Sequence, residues 1–280
     1  MRKKIIITVV IIGLVFIYFI TQNDFKLLKV VSGDKPIVSR ELTQASSTNI
    51  EESVIWELRE GNIWRPNREP PSCPEPLQLK TPVEVSKVSA ILYPGQPRGG
   101  AFKPHGAFRF DSKDNNATVT IPLDATLVRG SRAFRNGEDQ FSFEFISPCG
   151  IWYSLGHLRE LTPKYLAIAN KLPLIGHFAE QQLFDVIPPV LVKEGEVIAT
   201  KVGYINTNNA FVDFGVLDLR KKNGKKLRSE WSIYQKEFDQ YAVCWLELIP
   251  VGDANKLRSL FGSGDIKSGR LSDYCHYPEN

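Results

Sequence analysis

Short runs in which apolar and polar residues alternate, separated by glycine, proline and asparagine, most restrict the fold of this chain. Alternation with a period of two places every second side chain on one face of a β-strand. The pattern is clear in QFSFEFI (140–146), and it recurs in ATVTIPLDATLV (117–128), VLVKEGEVIATKVG (190–203) and FVDFGVLDLR (211–220). Asn136-Gly137 is a strong hairpin signal. We therefore expect an all-β fold, a sandwich or partly open barrel of short antiparallel strands.

Few segments have the period of a helix. Apolar residues at 50, 54, 55 and 58 predict a helix over Ile50–Glu60. Thr162 and Pro163 are typical of the cap and first turn of a helix within Leu161–Leu174. A further short helical segment is expected near Asn255–Leu260. The helices are thus few and short beside the strands.

An uncharged apolar run, Ile5–Ile20, follows three basic residues at the N-terminus. As a helix it would reach about 24 Å, and flanking residues can make up the difference from a hydrocarbon core of about 30 Å. The preceding cations favour a cytoplasmic N-terminus, and no small-x-small cleavage site follows Ile20. We expect a single-pass transmembrane helix with the main domain extracytoplasmic. A cleaved signal peptide is the alternative, and it gives the same location for the main domain.

The four cysteines are an even set, and an extracytoplasmic compartment would allow disulfides. No two of them have CxxC spacing, which argues against a zinc ribbon or a redox motif. Of the three possible pairings we favour Cys244–Cys275 with Cys73–Cys149, since the first would tie the C-terminal segment to its nearest strand. Four free buried thiols are the alternative.

The formal net charge of +4 is mildly basic and suits contact with anionic envelope polymers or lipid headgroups. Basic residues are not concentrated on a face that could bind nucleic acid. The densest basic run, Arg220–Lys226, centres on Asn223-Gly224 and is typical of a solvated hairpin tip. We therefore expect no nucleic-acid partner.

Composition and pattern divide the chain into four parts. Residues 1–22 form the cytoplasmic tip and anchor, and 23–82 a juxtamembrane spacer with a proline-rich lead-in. Residues 83–220 hold the strand-like runs, and 221–280 form a β/helix extension that we expect to pack on the domain. No internal repeat is evident.

Four motifs follow one another within residues 83–220. They are HGAFRF (105–110), WYSLGHL (152–158), GEVIA (195–199) followed by Val202-Gly203, and FVDFGV (211–216). Their order and spacing resemble the domain of lysostaphin/LytM-type zinc endopeptidases, which cut peptidoglycan cross-links. That family has His-x-x-x-Asp, Tyr-x-x-His-Leu, a Gly-x-x-Ile-Ala turn, and His-x-His followed by an aromatic residue and Gly-Val. The resemblance implies a LytM-like β domain.

The same resemblance implies where a site would lie and how this chain departs from the family. His105 and His157 match family histidines. The family's aspartate ligand is replaced by Arg109, the acid/base histidine by Phe211, and the last histidine ligand by Asp213. A guanidinium cannot coordinate a metal and stays charged. We therefore expect an Arg109–Asp213 ion pair in the place of zinc.

The site is thus expected to bind a ligand without catalytic residues, metal or cofactor. A shifted ligand set that adds Asp111, which could share a strand face with His105, is an alternative that would hold zinc if Arg109 swung out. The simpler alternatives are that His105 lies on a surface turn and that His157 only fixes a strand end. The candidate binding residues are His105, Arg109, Asp111, His157, Phe211 and Asp213.

The expected function is that of a membrane-anchored extracytoplasmic protein whose degenerate peptidase-like domain binds cell-wall peptidoglycan or an envelope partner. Degenerate relatives of the family act as activators of cell-wall amidases, which is one role that the resemblance implies. An active zinc endopeptidase with altered ligands is the main alternative, and a structural envelope module with a filled cleft is another. Zinc content distinguishes the first two.

Overall fold

The computed structural model of the protein describes residues 54–60, 63–98, 101–112, 114–176, 182–225, 239–260, 262 and 271–276. Strands dominate these residues, which confirms the all-β prediction. The predicted transmembrane segment, Ile5–Ile20, lies outside them. Among the residues that are described, no helix is long and apolar enough to cross a membrane.

In the part of the chain that the structure describes, two short α-helices interrupt the strands. The helices are α1 (Pro163–Ala169) and α2 (Val251–Ser259), both close to where the sequence predicts them. The strands are β1 (Trp56–Arg59), β2 (Ile63–Pro66), β3 (Val88–Leu92), β4 (Gln96–Arg98), β5 (Ala101–Lys103), β6 (Gly106–Phe110), β7 (Asn116–Thr120), β8 (Ala125–Arg135), β9 (Glu138–Ile146), β10 (Ile151–Leu161), β11 (Leu174–Ile175), β12 (Phe184–Val192), β13 (Val197–Val202) and β14 (Ala210–Asp218).

A ten-stranded sheet forms most of the fold. Its main path runs β11–β8–β9–β10–β14–β6–β3, with β12 beside β8 and β13 between β10 and β7. Its pairings are antiparallel apart from β11 with β8. Asn136 and Gly137 connect β8 to β9 with φ of 53° and 80°, the positive values that a tight hairpin turn of this kind needs. The hairpin signal in the sequence is confirmed.

The core lies against this sheet and is rich in aromatic residues. Phe141, Phe143 and Phe145 of β9 are buried, as their alternation predicts. The C-terminal segment packs on the same core, where the Trp245 ring lies 4.8 Å from that of Phe108 and 5.6 Å from that of Phe214. Burial of these large rings is the main favourable contribution to folding.

Both predicted disulfides are present. Cys73 bonds to Cys149 and Cys244 to Cys275, across sequence separations of 76 and 31 residues. The first holds the proline-rich lead-in against the β9–β10 connection. The second holds the C-terminal end of the described chain beside Trp245.

The predicted helix over Ile50–Glu60 is wrong in its described part. Trp56–Arg59 is a strand paired with Ile63–Pro66. The Trp56 side chain is buried, and its indole nitrogen donates to the Pro148 carbonyl at 3.1 Å. A short apolar run is compatible with both the period of a helix and that of a strand. Here the pairing with Ile63–Pro66 and the burial of Trp56 favour the strand.

Candidate functional site

Three neighbouring strands, β6, β14 and β10, bring the candidate residues together. Asp213 of β14 lies opposite Ala107 of β6 on one side and Gly156 of β10 on the other. Directly paired residues present their side chains on the same face of a sheet, and so do residues two apart on one strand. His105, two residues before Ala107, therefore reaches the same face as Asp213. His157 directly follows Gly156.

The two histidines converge on one carboxylate oxygen. The Nε2 atoms of His105 and His157 lie 3.3 Å and 3.4 Å from Asp213 Oδ2. Between 22% and 28% of each of the three side chains is exposed, so a ligand can reach them from solvent. We call these three residues the His–Asp–His cluster.

Small residues make room for the cluster. A Cβ on Gly215 would come within 3.0 Å of the His105 Cβ, and one on Gly156 within 3.3 Å of the Asp213 Cβ. Contacts this short would push the neighbouring side chain aside. Glycines at these two strand positions therefore let His105 and Asp213 approach closely.

His157 has an unusual backbone. Its φ is 58°, in the left-handed region that non-glycine residues seldom adopt. Strand β10 changes partner here, from β14 up to Gly156 to β13 from Leu158 onward, and its register with β9 shifts across the same point. The His157 carbonyl accepts from Gly203 N at 2.7 Å. Such backbone strain at a polar residue is frequent at functional sites.

A buried glutamine holds the His157 ring from behind. Gln140 of β9 is only 5% exposed, and its Oε1 lies 3.2 Å from His157 Nδ1. Its Nε2 donates to the Gly203 carbonyl at 2.8 Å. One side chain thus contacts both the histidine and the start of the loop that follows β13.

That loop, residues 203–209, forms one wall of the site. The ring of Tyr204 lies 5.3 Å from the His157 ring, and that of Phe211 lies 4.3 Å from it. Glu138, 3% exposed, accepts from Ile205 N at 3.1 Å and Asn206 N at 2.6 Å. It also pairs with Arg159. These charge-assisted bonds fix the loop to β9.

The predicted Arg109–Asp213 ion pair is not what the structure shows. Arg109 lies opposite Phe211, on the same face as the cluster, but its guanidinium donates to Asn209 Oδ1 at 2.7 Å. The ion-pair partners of Asp213 within the described chain are the two histidines. Asn209, directly before β14, lies near the Arg109 end of β6, whereas Asp213 lies beside His105. The register places Arg109 diagonal to Asp213, within reach of a long side chain, and the hydrogen bond to Asn209 turns the guanidinium the other way.

Of the other two predicted residues, Phe211 and Asp111, one contacts the cluster and the other does not. Phe211 contacts the cluster through the His157 ring. Asp111 is exposed just beyond the end of β6, and the contacts of Asp213 do not include it. Two residues at the site were not predicted from the sequence, Gln140 and Tyr204. The QFSFEFI run gives no signal for the first, since Gln140 occupies a polar position of the alternation, out of phase with the buried phenylalanines.

The surroundings of His157 disfavour the protonated, positively charged form of its ring. Burial lowers the pKa of His157 by more than the neighbouring Asp213 raises it, and the positive charges of Arg135 and Lys103 lower it further. Burial alone would raise the pKa of Asp213, but the two histidines outweigh it and hold that pKa well below its usual value. At neutral pH the cluster therefore holds an ionised Asp213 beside a neutral His157.

The arrangement suits hydrogen bonding. His105 Nε2 lies 3.3 Å from the Asp213 carboxylate and stabilises its ionised form, which supports the low pKa of that group. Over the described ranges, no group of three or more His, Cys, Asp or Glu side chains is arranged to hold a metal ion. The cluster combines one anionic acceptor and two imidazoles with two neighbouring aromatic rings on a partly exposed face of the sheet.

Comparisons with models of protein families, with curated proteins and with solved structures find no match for this chain. The resemblance to lysostaphin/LytM-type domains therefore stays a prediction.

Proposed function

We propose that this protein is a membrane-anchored extracytoplasmic binding protein, and that its β domain binds the peptide part of cell-wall peptidoglycan without hydrolysing it. The observation that carries the proposal is the convergence of His105, His157 and Asp213 on one partly exposed face of the sheet. On the same face the Arg109 guanidinium donates to Asn209, and the ion-pair partners of Asp213 within the described chain are the two histidines.

The chemistry of the cluster fits a peptide. A peptide offers backbone N–H donors to the Asp213 carboxylate and to an unprotonated imidazole nitrogen beside it. The Phe211 and Tyr204 rings supply apolar surface of the kind that dominates binding energy at protein interfaces. Loop 203–209 is held by buried Glu138, so little order has to be gained when a ligand binds.

Binding is tested with the full-length protein in detergent and purified peptidoglycan fragments carrying cross-linked peptides. Titration calorimetry should show saturable binding to the protein, and Asp213→Asn should weaken it by about 10-fold to 150-fold, since a hydrogen bond to a charged group contributes roughly 1.5–3 kcal/mol. Asp185→Asn is the matched control, because Asp185 is exposed on β12. Equal loss in both variants, or no binding by the parent protein, contradicts the proposal.

Two further measurements test the membrane location and the absence of hydrolysis. Fractionation of cells should place the intact chain in the membrane, and a soluble product that starts beyond Ile20 would support the signal-peptide alternative. Metal analysis of the dialysed protein distinguishes a binding protein from a peptidase. One zinc ion per chain, with cleavage of the cross-linked fragments, would establish the endopeptidase alternative and reject the binding role.

A further inference from the structure

The side-chain amide of Gln140 has one possible orientation. The Gly203 carbonyl oxygen can only accept a hydrogen bond, so the Gln140 atom 2.8 Å from it must be the NH2 nitrogen. The atom facing His157 is then the amide oxygen, which can only accept. At 3.2 Å from that oxygen, Nδ1 of His157 must carry a hydrogen.

The hydrogen on Nδ1 determines the character of the opposite ring nitrogen. A neutral imidazole has a single N–H, so Nε2 of His157 presents a lone pair. That lone pair lies 3.4 Å from Oδ2 of Asp213, which is also an acceptor. The Nε2 atom of His105 lies 3.3 Å from the same carboxylate oxygen. In this tautomer His157 cannot donate to Asp213, so the two histidines differ in their roles toward the carboxylate.

Two acceptors that lie side by side with no hydrogen between them both lack a hydrogen-bond donor at that point. A proton on His157 would supply one, but burial and the positive charges of Arg98, Arg135 and Lys103 around the cluster oppose additional positive charge. A neutral N–H or O–H group from outside supplies one without that cost. A peptide N–H is such a group, and the partly exposed edge of the cluster admits it.

We propose that Gln140 is a positioning residue that holds neutral His157 in the tautomer protonated on Nδ1, so that His157 Nε2 and Asp213 Oδ2 together accept N–H or O–H groups of a bound ligand. This inference names the recognition chemistry of the site, and its ligand rests on the peptide-binding function proposed above. The tautomer itself rests only on the contacts of Gln140.

The tautomer is measured on the full-length protein, labelled with ¹⁵N and ¹³C in histidine only, in lipid bilayers at pH 8. Solid-state NMR distinguishes protonated from unprotonated ring nitrogens, and His157→Gln assigns the signals of that residue among the four histidines. We expect His157 to show a protonated Nδ1 and an unprotonated Nε2. A protonated Nε2 in the parent protein would overturn the inference.

Variants of Gln140 test the cause. Gln140→Leu removes the acceptor, so the unprotonated Nε2 signal should be lost as the hydrogen moves to Nε2 and bonds to Asp213. Gln140→Glu keeps an acceptor oxygen for Nδ1 and should keep that nitrogen protonated at pH 8, although it loses the donor to the Gly203 carbonyl. Gln78→Leu is the control, since Gln78 is exposed and distant in sequence from the site. An unchanged spectrum in Gln140→Leu overturns the positioning role. If that variant does not fold, the parent and Gln140→Glu spectra decide.

Binding of the peptidoglycan fragments separates this inference from the proposed function. Gln140→Leu should bind about fivefold to tenfold more weakly, the effect of losing about one neutral hydrogen bond, and Gln140→Glu should retain more affinity. If the parent protein does not bind the fragments but His157 has the expected tautomer, the peptide ligand is wrong and the acceptor site stands. If the fragments bind but the tautomer is the opposite one, the inference is wrong and the binding function stands.

Discussion

Replacement of Glu138 by glutamine tests whether the wall of the site is held by a buried charge. Glu138 is almost fully buried and accepts from Ile205 N and Asn206 N while pairing with Arg159. Glutamine has one acceptor oxygen, so at least one backbone N–H loses its partner. Arg159 also loses its counter-charge.

The expected loss of stability follows from these contacts. A hydrogen bond to a charged group contributes roughly 1.5–3 kcal/mol. Arg159 is 27% exposed, and solvent screening limits its pairing to about 1 kcal/mol. Glu138→Gln should therefore lower the free energy of unfolding by about 3 kcal/mol. The backbone amides of Ile205 and Asn206 should also exchange their hydrogens faster.

Urea unfolding followed by tryptophan fluorescence measures the first effect, and hydrogen–deuterium exchange the second. Asp139→Asn is the control, because Asp139 is the next residue on β9 and is exposed, and it should change stability by no more than about 0.5 kcal/mol. A loss of stability below about 1 kcal/mol in Glu138→Gln would refute the reasoning that β9 holds the loop. So would amide exchange at Ile205 and Asn206 that is as slow in the variant as in the parent protein.

Two other predictions concern the two disulfide bonds and the protonation of His157. Double alanine substitution of Cys73 and Cys149 opens the longer loop and should lower the free energy of unfolding by about 4.5 kcal/mol. The same change at Cys244 and Cys275 should lower it by about 3.7 kcal/mol, and calorimetric unfolding of each variant measures both losses. Equal or reversed losses would contradict the chain-entropy account. The lowered pKa of His157 means that the unfolded chain binds its proton first, near pH 6.5, so stability should fall as pH decreases below that value. His157→Gln should flatten this part of the melting profile, and an unchanged slope would reject the assignment.

Local sequence rules determined most of the architecture. Alternation along β9 and the Asn136-Gly137 turn follow from the geometry of a strand and from the left-handed conformations that these two residues tolerate. Thr162 and Pro163 likewise start α1 where the sequence predicts a helix. Such signals act within a few residues of the chain and do not depend on which strands meet. The segment Trp56–Arg59 is the exception, since its short apolar run fits both periods and only its pairing partner decides between them.

The tertiary structure alone decided the contacts within the site. Motif order indicated that His105, His157 and Asp213 lie near one another, and they do. The proximity of Asp213 to the histidines depends on the registers of β6, β14 and β10, which join residues more than fifty positions apart. The contact that turns Arg109 away from Asp213 is made by Asn209, which is equally remote in sequence. The orientation of His157 depends on Gln140 across a register shift that the sequence does not show. A change of one position in register moves every side chain of a strand to the opposite face, so polar partners can be identified only once the pairing is known.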